Sequence, residues 1–221
     1  MPEGRLVIGT KRYSSWSLRG WLMVRMAALD VEEVVISLGG AGRGGTAEIK
    51  AISPNALVPY LEHRGARVWE STAIAEYCAE FHADLWPRNR TARAHARSIA
   101  AEMHVGFRAL RGAMPMNLGR NFAGMGRTPD CLADIARIEA IWAEALSAYR
   151  GPYLMGTDFT LADAMFAPVV TRFLTWQPEL SATTRGYCDV VRAHPLVDQW
   201  YRDAAAEPAE WLVEHYENPK A

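Results

Sequence analysis

The residue pattern changes character once along this chain, at Pro87, and that change limits the fold more than any other feature. Ahead of Pro87, β-type runs alternate with helix-type segments. Residues 5–9 (RLVIG) read as a buried strand, and helical spacing follows over about 15–28. Residues 32–37 (EEVVIS) are rich in β-branched side chains and read as a second strand. The stretch 39–45 (GGAGRGG) is a loop by composition. A short helix over about 46–52 stops ahead of Ser53-Pro54, because a residue before proline is pushed out of the helical region. Residues 58–62 and 67–69 flank the turn HRGA as a hairpin, and helical spacing resumes from Ser71 to about His82. The order is β-α-β-α-β-β-α. After Pro87 every periodic segment is helical.

In that second part, Ile99, Met103, Phe107, Leu110 and Met114 recur at three or four residues and predict one apolar helix stripe. Thr128-Pro129-Asp130 places a cap and then proline at the first helical position, and predicts a helix to about Tyr149. Thr160 with Asp163 three residues on has the spacing of a capping box. Further helices are expected over 184–193 and 195–206, with Trp211 packing down an irregular tail. Half of the 221 residues are hydrophobic, enough for a sizeable core. A net charge of −1 does not point to nucleic acid. No apolar run reaches the roughly 20 residues of a membrane helix, and no signal peptide is evident. Cys78, Cys131 and Cys188 are odd in number and far apart, so they read as reduced, buried thiols in a cytoplasmic chain. The six histidines show no metal-ligand spacing, and no metal is expected.

Four stretches carry a family likeness. NALVPYL resembles the Val-Pro turn of the cytosolic glutathione transferases, WESTAIAEYCAE their Glu-Ser motif, and FTLADAMFAP the capping box of their helical domain. YSSWSLR is similar to the Ser-Ser-Cys-Ser-x-Arg signature of the serine-type, zeta-like classes. The motifs keep the family's order across nearly the whole chain. The resemblance implies an α/β thioredoxin-like domain over 1–83, a linker over 84–89 and an all-α helical domain over 90–221. It also implies glutathione as cofactor, a small electrophile as second substrate, and a two-fold dimer.

By the same resemblance Ser14, or next Ser15, activates the glutathione thiol. Taken alone, either serine is an ordinary helix cap. Val58 and Pro59, the proline cis, pair with the cysteinyl part of glutathione as a short added strand. Ser71, as cap of its helix, offers a carboxylate site, and Glu70 could pair with an α-ammonium. Trp16 stands where the zeta signature has cysteine, which puts the zeta-class isomerase activity in doubt but not glutathione binding. Arg90, Arg93, Arg97, His104, Arg108 and Arg111 fall on one stripe. The stripe reads as a solvated face pairing with the acidic stretch 198–217, or as a source of Arg108 or Arg111 for an anionic substrate. Arg172, one turn before the family's substrate arginine position at Thr175, could take that arginine's role. Asp163 is expected to be structural, and Arg19 too. The expected function is a glutathione transferase acting on a small, possibly acidic, electrophile. The alternatives are a maleylacetoacetate- or maleylpyruvate-type isomerase, or a non-catalytic interaction protein of the same fold.

Overall fold

A computed structural model of the chain describes residues 1–39 and 46–219. The expected glycine loop at 39–45 therefore lies outside the described residues, apart from Gly39. The first part runs β1 (Gly4–Gly9), α1 (Ser15–Met26), β2 (Glu32–Ile36), α2 (Ala47–Ile52), β3 (Tyr60–His63), β4 (Ala66–Trp69) and α3 (Ser71–Phe81). The strands form one sheet in the order β2-β1-β3-β4, with β1 parallel to β2 and the other pairs antiparallel. The chain is apolar at three consecutive β1 positions because both sheet faces are covered. Leu6 and Ile8 join the main core with Leu18, Trp21 and Leu61, while Val7 packs with Ile36, Ile49 and Tyr60 on the α2 side.

The second part is helical: α4 (Arg90–Val105), α5 (Arg108–Ala113), α6 (Pro129–Tyr149), α7 (Leu161–Trp176), α8 (Ala182–Ala193), α9 (Pro195–Ala205) and α10 (Glu214–Glu217). Helix α7 is buried on nearly every side, as a helix apolar all round must be. It packs against both α1 and α4, so it joins the sheet-bearing part to the helical part. The Pro87 connection packs down too: Leu85 and Trp86 are buried.

Two expectations are corrected here. The apolar stripe from Ile99 to Met114 is not one helix. Gly106 ends α4, where a Cβ would come within 2.8 Å of the Glu102 carbonyl oxygen, and Phe107 turns left-handed at φ 59° before α5 begins. All five stripe residues are still buried, because the kink returns the chain to the same core. The tail is held by Val213 and Glu217, which are buried, whereas Trp211 is half-buried.

Gly20, in the middle of α1, shows why a helix tolerates a weak former. A Cβ there would lie 2.7 Å from two carbons of the Pro59 ring. The close approach seats the Val58–Pro59 turn, whose peptide bond is cis, directly on α1.

Candidate active site

A cleft of about 350 Å³ opens at the N-terminus of α1. Ser14, Ser15 and Trp16 form its floor, Val58 and Leu57 one side, and Arg111, Arg172 and Tyr216 the other. A second cavity of about 210 Å³ shares Trp16, Leu57 and Val58 and continues to Pro59, Glu70 and Ser71. The two form one groove with Trp16 between them.

Ser14 is the N-cap of α1. Its hydroxyl oxygen accepts the Ser17 amide at 3.3 Å, and in this structure its proton is donated to the Ser17 hydroxyl at 2.7 Å. Ser17 in turn accepts the Gly9 amide at 2.9 Å, which locks the strand end to the helix start. Ser15 is the first helical residue, and its oxygen accepts from Nη2 of Arg172 at 3.2 Å. The first turn of α1 carries no acid, so the positive end of the helix dipole is uncompensated at the cleft. The neighbouring Tyr13 hydroxyl is committed elsewhere, donating to Glu217 at 2.5 Å.

Three guanidinium groups converge behind this floor. Arg19 is fully buried and donates to the Met165 carbonyl at 2.8 Å. Arg111 donates to the carbonyls of Gly106 and Met103. Both contact the Trp16 ring, with guanidinium carbons 4.7 Å (Arg19) and 4.5 Å (Arg111) from its centroid. Among the described residues, no carboxylate is hydrogen-bonded to Arg19, Arg111 or Arg172. Each of the three keeps one buried guanidinium nitrogen with no hydrogen-bond partner. Burial, and then the mutual repulsion of the cluster, depresses Arg19, while Arg172 is brought down to about 9 by burial and by Arg111. Both effects favour an anion in the cleft.

At the far end, the N-cap of α3 is Glu70, at φ 67°, and not Ser71 as expected. Ser71 is instead the first helical residue, buried, with its hydroxyl 3.3 Å from Nδ1 of His104. Asn55 ties this corner together: its oxygen accepts the Leu57 amide and its amide group donates to Glu70 at 3.2 Å.

The groove collects Ser14, Ser15, Trp16, Val58, Arg111 and Arg172 in its first part and Pro59, Glu70 and Ser71 in its second. Arg108 is the exception. It is exposed on α5 and lines neither cavity; both arginines follow the kink at Phe107 on that short helix, and only Arg111 comes to line the cleft. Nor does the stripe pair with the acidic tail. Arg97 pairs with Glu76, and the tail acids take Lys11, Arg12 and Arg120. Thr175 spends its hydroxyl on the Asn117 carbonyl at 2.8 Å. Sequence reasoning missed Asn55, His104 and Tyr216. Only His104 left a signal, as a member of the basic stripe.

Tyr216 reaches the cleft because Glu217 anchors the tail. That carboxylate is buried and accepts from Arg12, Tyr13, Asn117 and Arg120, and Tyr216 stacks on Tyr13 with ring centroids 5.1 Å apart. Burial pushes the Glu217 carboxyl up, but these bonds outweigh it and bring it to about 2. A carboxyl held below its ordinary 4.5 stabilises the fold above that pH and loses the contribution as pH falls towards 2. The tail is therefore expected to detach across that interval, and Glu217→Gln to loosen it at pH 7. Hydrogen exchange over residues 213–218 reads this directly. Protection equal to wild type in the variant would refute the anchoring role.

The thiols of Cys78 and Cys188 are pushed up to about 12 and that of Cys131 to about 11 by burial, so no cysteine of the chain is a ready nucleophile. Among the described residues no His, Cys, Asp or Glu cluster is arranged for a metal, and no helix is long and apolar enough to cross a membrane.

Two family models match the chain. Residues 13–80 match the glutathione S-transferase N-terminal domain, and residues 118–203 match the C-terminal domain. The chain belongs to the glutathione S-transferase family. Among the relatives of this transferase is a probable maleylacetoacetate isomerase of Caenorhabditis elegans, 27% identical over 196 residues, covering 82% of this chain and 88% of the relative. A glutathione transferase homolog from Burkholderia GL BGR1, solved with bound glutathione, superposes with a TM-score of 0.71 at 21% identity, over 94% of this chain and 100% of that one. A maleylacetoacetate isomerase from Anaeromyxobacter dehalogenans 2CP-1 gives 0.66 at 23% identity, over 94% and 95%. At these identities the two solved structures establish the shared fold.

Proposed function

We propose that this transferase activates the thiol of bound glutathione for attack on a small, acidic electrophile. The observation that carries the reading is the Ser14 hydroxyl at the uncompensated N-terminus of α1, opening on a cleft lined by Arg111 and Arg172. A free thiol titrates near 8.5, so only a few per cent is thiolate at neutral pH. Lowering that by about two units needs about 2.7 kcal/mol. A helix terminus supplies about 0.3–1 kcal/mol, up to about 2 when partly buried. A hydrogen bond to a charged group adds about 1.5–3 kcal/mol. Together they supply about 2–5 kcal/mol, a range that brackets the requirement. The thiol proton leaves to water. The sulfur electron pair then bonds the electrophilic carbon, whose own pair shifts to a leaving group or along a double bond.

In this reading the Val58 backbone takes the cysteinyl part of glutathione, Glu70 the α-ammonium, and Ser71 the carboxylate beside it. Arg111, which lines the cleft, meets the negative group of the second substrate. A two-fold dimer and a cytoplasmic location come with the resemblance. The test compares an α,β-unsaturated carboxylic acid with its methyl ester. The acid is expected to be favoured in kcat/KM by about tenfold or more, and equal rates would remove the acidic preference.

A second reading is glutathione-dependent cis-trans isomerisation of a dicarboxylate of the maleylacetoacetate or maleylpyruvate type. The name of the worm relative favours it, and so does the positive cleft. Trp16 at the signature cysteine counts against it. Loss of absorbance of a cis-enedione dicarboxylate, only when glutathione is present, separates isomerisation from conjugation.

A further inference from the structure

We propose that Arg172 is a positioning residue for the thiolate, acting through Ser15, and not a ligand for the second substrate. The inference deepens the glutathione reading and rests on it. Arg172 reaches Ser15 from α7, across 157 residues of sequence. Its Nη1 donates to the Pro168 carbonyl at 2.9 Å and its Nη2 to the Ser15 oxygen at 3.2 Å. Each arm of the guanidinium fork therefore makes one bond to the protein. The Nε is buried without a partner, so a grip on a carboxylate would have to share the fork with these two bonds. Arg111 makes no bond to a cleft serine and donates instead to the carbonyls of Gly106 and Met103.

Ser15 has one hydroxyl proton and two lone pairs. Arg172 occupies a lone pair and has no acceptor to offer in return. The Ser15 proton is therefore free to point elsewhere, and Ser15 lines the cleft. A charged donor on the oxygen polarises the O–H and strengthens it as a donor. The arrangement sends the positive charge of a buried arginine to the cleft surface through one hydroxyl. Ser14 has no such partner: its oxygen is bonded to Ser17, which carries no charge. The two serines are thus unequal. Ser14 brings the helix terminus and Ser15 brings the arginine. With Arg19 and Arg111 also facing Arg172, and no carboxylate bonded to any of the three among the described residues, one anion beside Ser15 relieves the repulsion of the cluster. Arg172 remains charged at neutral pH even at about 9, so the arrangement holds where the enzyme works.

The experiment titrates the ultraviolet absorbance of the glutathione thiolate bound to the full-length protein, with no second substrate, for wild type, Ser15→Ala, Arg172→Gln, Arg172→Lys and the Ser15→Ala/Arg172→Gln double variant. Glutathione affinity and Tm are measured beside it. Ser15→Ala and Arg172→Gln are each expected to raise the bound-thiol pKa by about one unit. The lysine variant recovers part of the shift, and the double variant shifts no further than either single one. A folded Arg172→Gln protein with a wild-type thiol pKa but a raised KM for an acidic electrophile would make Arg172 a substrate ligand and overturn the proposal. Additive shifts in the double variant would also overturn it. Should Arg172→Gln fail to fold, Ser15→Ala decides, and an unshifted pKa there is fatal. Wild-type protein that leaves the glutathione thiol unshifted, or does not bind it, brings down the glutathione reading itself, a result distinct from loss of the Arg172 role alone.

Discussion

Ser14→Ala is expected to raise the thiol pKa of bound glutathione by about one to two units and to lower conjugation at pH 7 by about ten- to a hundredfold. A hydrogen bond from a hydroxyl to a charged sulfur is worth about 1.5–3 kcal/mol, and one pH unit corresponds to about 1.4 kcal/mol. The direction fixes the pH profile. Removing a donor to the thiolate disfavours the charged form, so the thiolate appears at higher pH. The loss of rate is greatest on the acid side and shrinks above about pH 8.5, where even an unassisted thiol is ionised. Ser14 also caps α1, so the variant loses about 0.5–2 kcal/mol of stability. Ser14→Thr keeps both cap and hydroxyl and should keep most of the activity. Capping and thiolate activation separate in the titration, since a cap alone does not move the sulfur. A Ser14→Ala protein that binds glutathione with a wild-type thiol pKa would show that the cap is all Ser14 provides.

The largest effect on stability is expected at Asp163. Its carboxylate is fully buried and accepts from the Leu154 amide at 2.9 Å, the Thr160 amide at 2.8 Å, the Thr160 hydroxyl at 2.9 Å and the Tyr187 hydroxyl at 3.0 Å. Asp163→Ala strands these donors in a dry interior at about 1–3 kcal/mol for each one left unpaired. The summed loss, about 3 kcal/mol or more, is a large part of the roughly 5–15 kcal/mol that holds a domain folded. The variant is expected to unfold at a much lower urea concentration and to accumulate poorly at 37 °C. Asp163→Asn keeps one acceptor oxygen and should fall between. In whatever folded fraction remains, the bound-thiol pKa should match wild type, because Asp163 does not line the cleft. An alanine variant within about 1 kcal/mol of wild type would mean that relaxation or water satisfies the stranded donors.

The contrast between these two residues runs through the whole chain. Ser14 and Asp163 were both legible in the sequence because each acts first on its own helix start. A cap needs a side chain within three residues of the amide it serves, so the spacing is local and can be read in one dimension. The same holds for Thr128-Pro129 at the start of α6, for the β-branched run of β2, and for the order of motifs that implied the fold. It fails for the apolar stripe through Phe107. Three- and four-residue spacing continues unbroken there while the backbone reverses its hand, because core burial rewards side-chain position and is indifferent to the helix between.

The charges are where only the tertiary structure decides. Arg108 and Arg111 look equivalent in sequence, yet one lies in solvent and the other against Trp16, three residues apart on the same short helix. The bonds of Arg172 to Ser15 and of Arg12 to Glu217 span 157 and 205 residues. No periodicity encodes such pairs. They exist because α7 packs across α1 and the tail folds back over Tyr13, and a buried charge settles with whatever polar partner that packing leaves within reach. The sequence by itself determined the two-part architecture and the serine-bearing helix start. The packing of the helices decided which arginines face that helix start.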